Sequence, residues 1–180
     1  MKKWMFFSVV ILFACNSAKE LALPGTFFYE DEVERREADG KVFKKSVQVT
    51  VGKQLELKKD NTGKFYVVYG PGDKVIFKIE VARLLQEPLT DSELLYSLVF
   101  ETSNPVKSFE KENENLRDIK AVYGYHAFDP KSGYYPLDKG KIALQVDKRR
   151  QKIIIKVELP DEYGKMLNGE YTIDLQTLKS

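Results

Sequence analysis

The sequence predicts an all-β fold, an antiparallel β-sandwich or flattened barrel of about nine strands. Two observations carry that expectation. From Gly25 onward, β-branched and aromatic residues alternate with polar ones at a period of two, and turn residues interrupt the alternation about every ten positions. In the C-terminal third the alternation is strictest: Ile142, Leu144 and Val146, then Ile153, Ile155, Val157 and Leu159, then Tyr171, Ile173 and Leu175. Stripes of this kind belong to consecutive antiparallel strands with one wet face.

Taken in order, Thr26 to Arg35 reads as a strand, and Ala38-Asp39-Gly40 supplies an Asp-Gly turn into Val42 to Val51. Leu55 and Leu57 lead through Asp60-Asn61-Thr62-Gly63 into Phe65 to Tyr69, a second hairpin that Tyr69-Gly70-Pro71-Gly72-Asp73 closes. Val75, Phe77, Ile79 and Val81 alternate with Lys78, Glu80 and Ala82 and form one apolar face. Leu89 to Glu101 carries two signals. Thr90 and Glu93 have capping-box spacing, while Leu94, Tyr96, Leu98 and Phe100 fit a strand, the favoured reading. Asn104 to Lys120 is charged and reads as a long crossover with one or two helical turns. Ala121 to Phe128 is a strand, and Asp129 to Leu137, with Pro130, Gly133, Tyr134, Tyr135 and Pro136, reads as an aromatic loop. The last three strands turn at Asp147 to Gln151 and at Pro160 to Gly169.

The N-terminus is a separate matter. Met1-Lys2-Lys3 is basic, and Trp4 to Ala14 is apolar but far shorter than the roughly 20 residues that span a bilayer. Leu12, Ala14 and Cys15 resemble the lipobox of bacterial lipoprotein type II signal peptides; Phe13 is bulkier than usual there, as in the more permissive spirochaete and Bacteroidetes pattern. The resemblance implies cleavage before Cys15, acylation of that residue and anchoring of the protein in the cell envelope. The expected organisation is a signal peptide over 1–14, a lipidated tether over 15–24 reaching at most about 30 Å, and one β domain over 25–180. Asn16 is not the aspartate that retains enterobacterial lipoproteins at the inner membrane, so the outer membrane is favoured.

Cleavage would remove Lys2 and Lys3, the only charges of the leader, and leave 27 basic against 27 acidic groups. A balanced chain has no field to draw in nucleic acid, and no basic stripe interleaved with aromatics appears. Once Cys15 is acylated the chain holds no thiol, because Cys15 is its only cysteine. Gly25-Thr26-Phe27 and Leu55-Glu56-Leu57 with Asp60 and Gly63 resemble the opening strands of lipocalin-like barrels. Gly140 through Gly169-Glu170-Tyr171 resembles the last strands of β-rich lipoproteins of Bacteroidetes and spirochaete type. These resemblances imply a lipocalin-like closed barrel as the alternative fold and carry no functional residue.

Candidate sites are few. His126 is the only histidine, which leaves acid–base and nucleophilic chemistry without partners and excludes a Cys/His zinc site. Its expected place is half-buried on the face of Val122 and Phe128, opposite Tyr123 and Tyr125. Glu30, Glu32 and Glu34 share a strand face as the first residues to consider for an oxygen-ligand metal, although a solvated face countered by Arg35 and Arg36 explains them. Lys148, Arg149, Arg150 and Lys152 form a basic knuckle that reads as a solvated turn. Tyr134 and Tyr135, with Tyr123 and Tyr125, are the candidate binding residues, since aromatics are the preferred anchors of binding surfaces. The expectation is a lipid-anchored, non-enzymatic interaction module without cofactor or metal, for a protein or glycan of the envelope. A carrier of a small apolar ligand in a barrel interior is the alternative, and an enzyme of unknown class the second.

Overall fold

The computed structural model describes residues 20–23, 25–36, 42–84 and 94–176. The lipobox with Cys15, the turn at Ala38-Asp39-Gly40 and the capping box at Thr90 lie outside the described residues. The elements in order are β1 (Glu20–Leu21), β2 (Phe27–Arg36), β3 (Val42–Lys59), β4 (Phe65–Leu84), β5 (Leu95–Ser103), β6 (Val106–Lys107), β7 (Phe109–Glu112), a 3-10 helix (Asn113–Ile119), β8 (Val122–His126), β9 (Gly133–Pro136), β10 (Lys141–Asp147), β11 (Lys152–Glu158), two 3-10 turns (Asp161–Tyr163 and Lys165–Leu167) and β12 (Gly169–Asp174). The fold is all-β, and every strand pairing is antiparallel.

Two sheets face one another. The larger runs β2-β3-β4-β5-β8-β9, the smaller β12-β11-β10-β7, and β1 pairs with β6 alone. Between them lies the main core, built by the period-two stripes: Val47, Val49, Phe77, Ile79, Leu98 and Phe100 from one side, and Ile142, Leu144, Ile153, Ile155, Tyr171 and Ile173 from the other. Phe77 stacks on Phe100 at 5.3 Å, and Phe109 meets Phe100 edge-on at 6.2 Å. Offset and edge-on geometries are the favoured ones for such rings.

The second hairpin departs from the expected one. Tyr69 to Asp73 is no turn: β3 and β4 run on as a single long hairpin around the Asp60–Gly63 turn, and Lys53 pairs with both Pro71 and Lys74 across a bulge. Gly-Pro-Gly punctuates a bulge as well as a turn, and here the opposite strand decides. Gly52 sits at φ +74, and a Cβ on Gly72 would lie 2.9 Å from the Gln54 amide nitrogen, so the two backbones bend together at a point only glycine permits.

Past the bend the hairpin folds over the outer face of the large sheet. Leu55, Leu57, Val67 and Tyr69 cover Ile76, Val99 and Val122 in a second, smaller core. Phe65 pairs with Tyr134, which joins β4 to β9 and closes β4, β5, β8 and β9 into a four-stranded ring. The bend is fastened at Leu55. The Glu101 carboxylate, 7% exposed, accepts the Leu55 N–H at 2.6 Å and meets the Lys120 ammonium at 2.9 Å, while that ammonium donates to the Leu55 carbonyl at 3.0 Å.

Other differences are local. Leu21 and Leu23, which fall in the expected tether, are buried in the main core, so the folded body takes in residues ahead of Gly25. Leu95–Ser103 settles the ambiguous stretch as strand over its described part. The charged crossover contains β7 as well as the expected helical turns, with Lys141 of β10 meeting Glu110 at 2.8 Å and Glu112 at 3.0 Å.

Glu101→Ala is expected to cost about 1.5–3 kcal/mol in denaturant melts, the scale of a buried charge-assisted hydrogen bond. Lys120→Met should cost less than about 1 kcal/mol, because its ammonium is half exposed. Equal losses would show that the ion pair, not the Leu55 amide, holds the bend.

Candidate functional site

At the β5–β8–β9 end of the large sheet the register sets tyrosines on the inner face, Tyr123 within the main core and Tyr96 and Tyr125 packed against its edge. Tyr96 of β5 lies directly opposite Tyr125 of β8, and Tyr123 of β8 directly opposite Tyr135 of β9. Directly opposed side chains on one face are in contact: the first pair's ring centroids are 5.7 Å apart, the second's 6.3 Å. Tyr163, from the turn after β11, sets its ring edge-on against Tyr123 at 5.7 Å. Five of the ten tyrosines of the chain thus meet at one place.

They line an open cavity of about 590 Å³ together with Asp129, Lys131, Asp161, Glu162 and Gly164. Gly164, at φ +77, lays backbone directly on the rings: a Cβ there would stand 3.0 Å from Tyr96 and 3.4 Å from the Tyr123 hydroxyl. Tyr163 donates its hydroxyl to Asp138 at 3.1 Å, Glu162 pairs with Lys139 at 3.1 Å, and Tyr135 donates to the Lys131 carbonyl. Burial, then the neighbouring Tyr96, Tyr125 and Tyr135, pushes the Tyr123 hydroxyl well above the usual tyrosine range. Burial and then the bond to Asp138 raise Tyr163. These phenols stay protonated at neutral pH. Chemically the cavity offers ring faces for stacking and for cations, hydroxyls as donors, and carboxylates as acceptors.

Of the candidate binding residues, Tyr123, Tyr125 and Tyr135 come together here. Tyr134 does not. The stretch read as an aromatic loop is a tight turn followed by β9, so Tyr134 and Tyr135 point to opposite faces. Tyr134 lies opposite Gly124 and packs into the small core of the ring. A Cβ on Gly124 would stand 2.8 Å from the Tyr134 ring, so the missing side chain is what admits the phenol. Sequence reading missed Tyr96 and Tyr163, because only the cross-strand register and the return of the β11–β12 connection bring them in.

The remaining candidates have structural places. His126 is half-buried on the β8 face of Val122, its ring 4.9 Å from Tyr134, whereas Phe128 has left that strand and is 91% exposed. The knuckle is a turn whose Arg149 and Arg150 amides both donate to Asp147 at 3.1 Å, and Lys152 pairs with Asp174 at 3.1 Å. The Glu30, Glu32 and Glu34 side chains lie outside the description. Among the described residues no group of three or more His, Cys, Asp and Glu is placed to hold a metal.

Two expectations follow from these places. Tyr134→Ala should cost about 2–4 kcal/mol of stability as a core truncation, and Tyr135→Ala less than about 1 kcal/mol; equal losses in thermal melts would contradict their opposite facing. For His126, burial first and the Lys78 ammonium second lower the imidazole pKa, against the pull of Glu80. The unfolded chain therefore binds the proton at about pH 6.5 while the fold still resists it, so stability falls as pH drops through that value. Melts at pH 5.5 and 7.5 should converge in His126→Gln relative to wild type. In comparisons with known proteins, no family model, no curated protein and no solved structure matches this chain.

Proposed function

We propose that the protein is a lipid-anchored interaction module of the cell envelope, held in the outer membrane by acyl chains on Cys15, which binds a protein or glycan partner in the tyrosine cavity without performing chemistry on it. The observation that carries the binding half is the gathering of five tyrosines around one open cavity. Tyr135 is exposed and Tyr96, Tyr125 and Tyr163 are half-buried around an open concavity, and such a gathering of tyrosines is a composition favoured at recognition surfaces. The cavity volume falls within the range of ligand sites, about 300–1,000 Å³. The anchoring half rests on the basic start, short apolar run and lipobox of residues 1 to 15. Among the described residues no helix is long and apolar enough to cross a membrane.

Each half has its own test. Wild type should partition into the detergent phase and Cys15→Ser into the aqueous phase, since two or more acyl chains anchor stably and none anchors not at all. Wild type in the aqueous phase sinks the anchor. For binding, partners captured by cross-linking in cells should fall at least tenfold in Tyr135→Ala/Tyr163→Ala, a variant expected to melt within a few degrees of wild type. Undiminished capture sinks the cavity as the site.

A further inference from the structure

The sign of charge around the tyrosine cavity narrows what it takes. Resting on the binding role above, we infer that the cavity is a receptor for the cationic side chains of a basic peptide segment, with an ammonium group seated against the tyrosine faces.

Asp129, Asp161 and Glu162 line the cavity, and Asp138 stands behind Tyr163, which donates to it. Among the lining residues these are three carboxylates against one ammonium, Lys131; behind them Lys139 pairs with Glu162, and Arg83 and Lys165 lie across the wall of Tyr96, Asp161 and Gly164 in an adjoining pocket. The surplus is local. Residues 15 to 180 carry equal numbers of acidic and basic groups, so this negative patch is not the background of the chain. Ring faces are themselves negative, and a cation within about 6 Å of a tyrosine centroid is attracted by the ring quadrupole. The two fields add in one concavity, where low-dielectric walls focus them.

The chain makes the same contact with itself elsewhere. Lys45 sits 5.1 Å over the Tyr171 ring and Lys59 5.6 Å over Phe65. An anionic ligand would meet like charge in the cavity. A neutral sugar could stack on the rings but would leave the surplus of carboxylates unanswered. The space is also larger than one lysine tip needs, which suits a side chain together with its flanking peptide.

The test uses the full-length protein in detergent micelles at physiological salt, titrated calorimetrically with pentalysine, with the same peptide acetylated at every Nε, and with a tetramer of N-acetylglucosamine. Pentalysine should bind, and acetylation should weaken it at least tenfold. Asp161→Asn/Glu162→Gln should weaken it at least fivefold at unchanged melting temperature. Tyr135→Leu should do so too, a loss that attraction by surface charge alone would not show. Equal binding of the acetylated peptide, or full binding to Tyr135→Leu, overturns the inference. Binding of the sugar tetramer without pentalysine also overturns it, but leaves the interaction module standing. The module itself fails only if the tyrosine variants still capture their partner in cells.

Discussion

The long hairpin can lie across the outer face of the large sheet only because something holds its bend, and that hold is a single carboxylate. Glu101 takes the Leu55 amide, and Lys120 bridges the same carboxylate to the Leu55 carbonyl. A backbone amide turned into a low-dielectric interior costs a few kcal/mol when unmet, and Glu101 removes that cost at the bend. Everything past it follows in series. The folded-over hairpin brings Phe65 to Tyr134, that pairing closes the ring, and the ring fixes β9 against β8. The register of β9 on β8 then sets Tyr135 beside Tyr123. The tyrosine cavity on the inner face is thus supported from the outer one.

β8 divides its labour by parity. Tyr123 and Tyr125 face the cavity, while Val122, Gly124 and His126 face the ring. The two sides differ in tolerance. On the ring side a Cβ at Gly124 would stand 2.1 Å from the Ser97 hydroxyl, itself buried and without a hydrogen-bond partner among the described residues. Such a site has no slack for added volume. On the cavity side Tyr125 borders solvent and tolerates change more readily, whereas Tyr123, buried at the edge of the main core, supports both cavity and fold.

Legibility in the sequence tracked the range of the deciding contact. The three C-terminal strands were readable because each alternates strictly and pairs with the strand next to it in sequence, across four residues between β10 and β11 and ten between β11 and β12. The fold class and the inner stripe of β4 were readable for the same reason. β7 was hidden, since Phe109-Glu110-Lys111-Glu112 has the composition of a solvated loop and becomes a strand only by pairing with β10, some thirty residues on. Gly70-Pro71-Gly72 was misread because turn and bulge share their local chemistry; Gly52 and Gln54 across the ladder choose between them. At the site, the same-face placement of Tyr123 and Tyr125 followed from parity alone. Treating Tyr134 and Tyr135 as one unit was the error that period two corrects once the segment is known to be a strand.

The place where the chain enters the fold has a geometric consequence. β1 joins the body at Val106 and Lys107, just past the Ser103 end of β5, whereas the cavity lies at the Tyr96 end. β5 has nine residues and so spans about 30 Å at roughly 3.3 Å each. Between the proposed acyl acceptor Cys15 and Glu20 only four residues intervene, a leash of at most about 17 Å. If Cys15 is acylated as proposed, a leash that short would keep the β1 pole near the membrane, and a domain standing on it would carry the tyrosines at the far end. That standoff is several Debye lengths at physiological salt, each about 8 Å. Anionic headgroups beneath the domain would then be screened from the binding pole, and a basic ligand would find the cavity without first being claimed by the membrane.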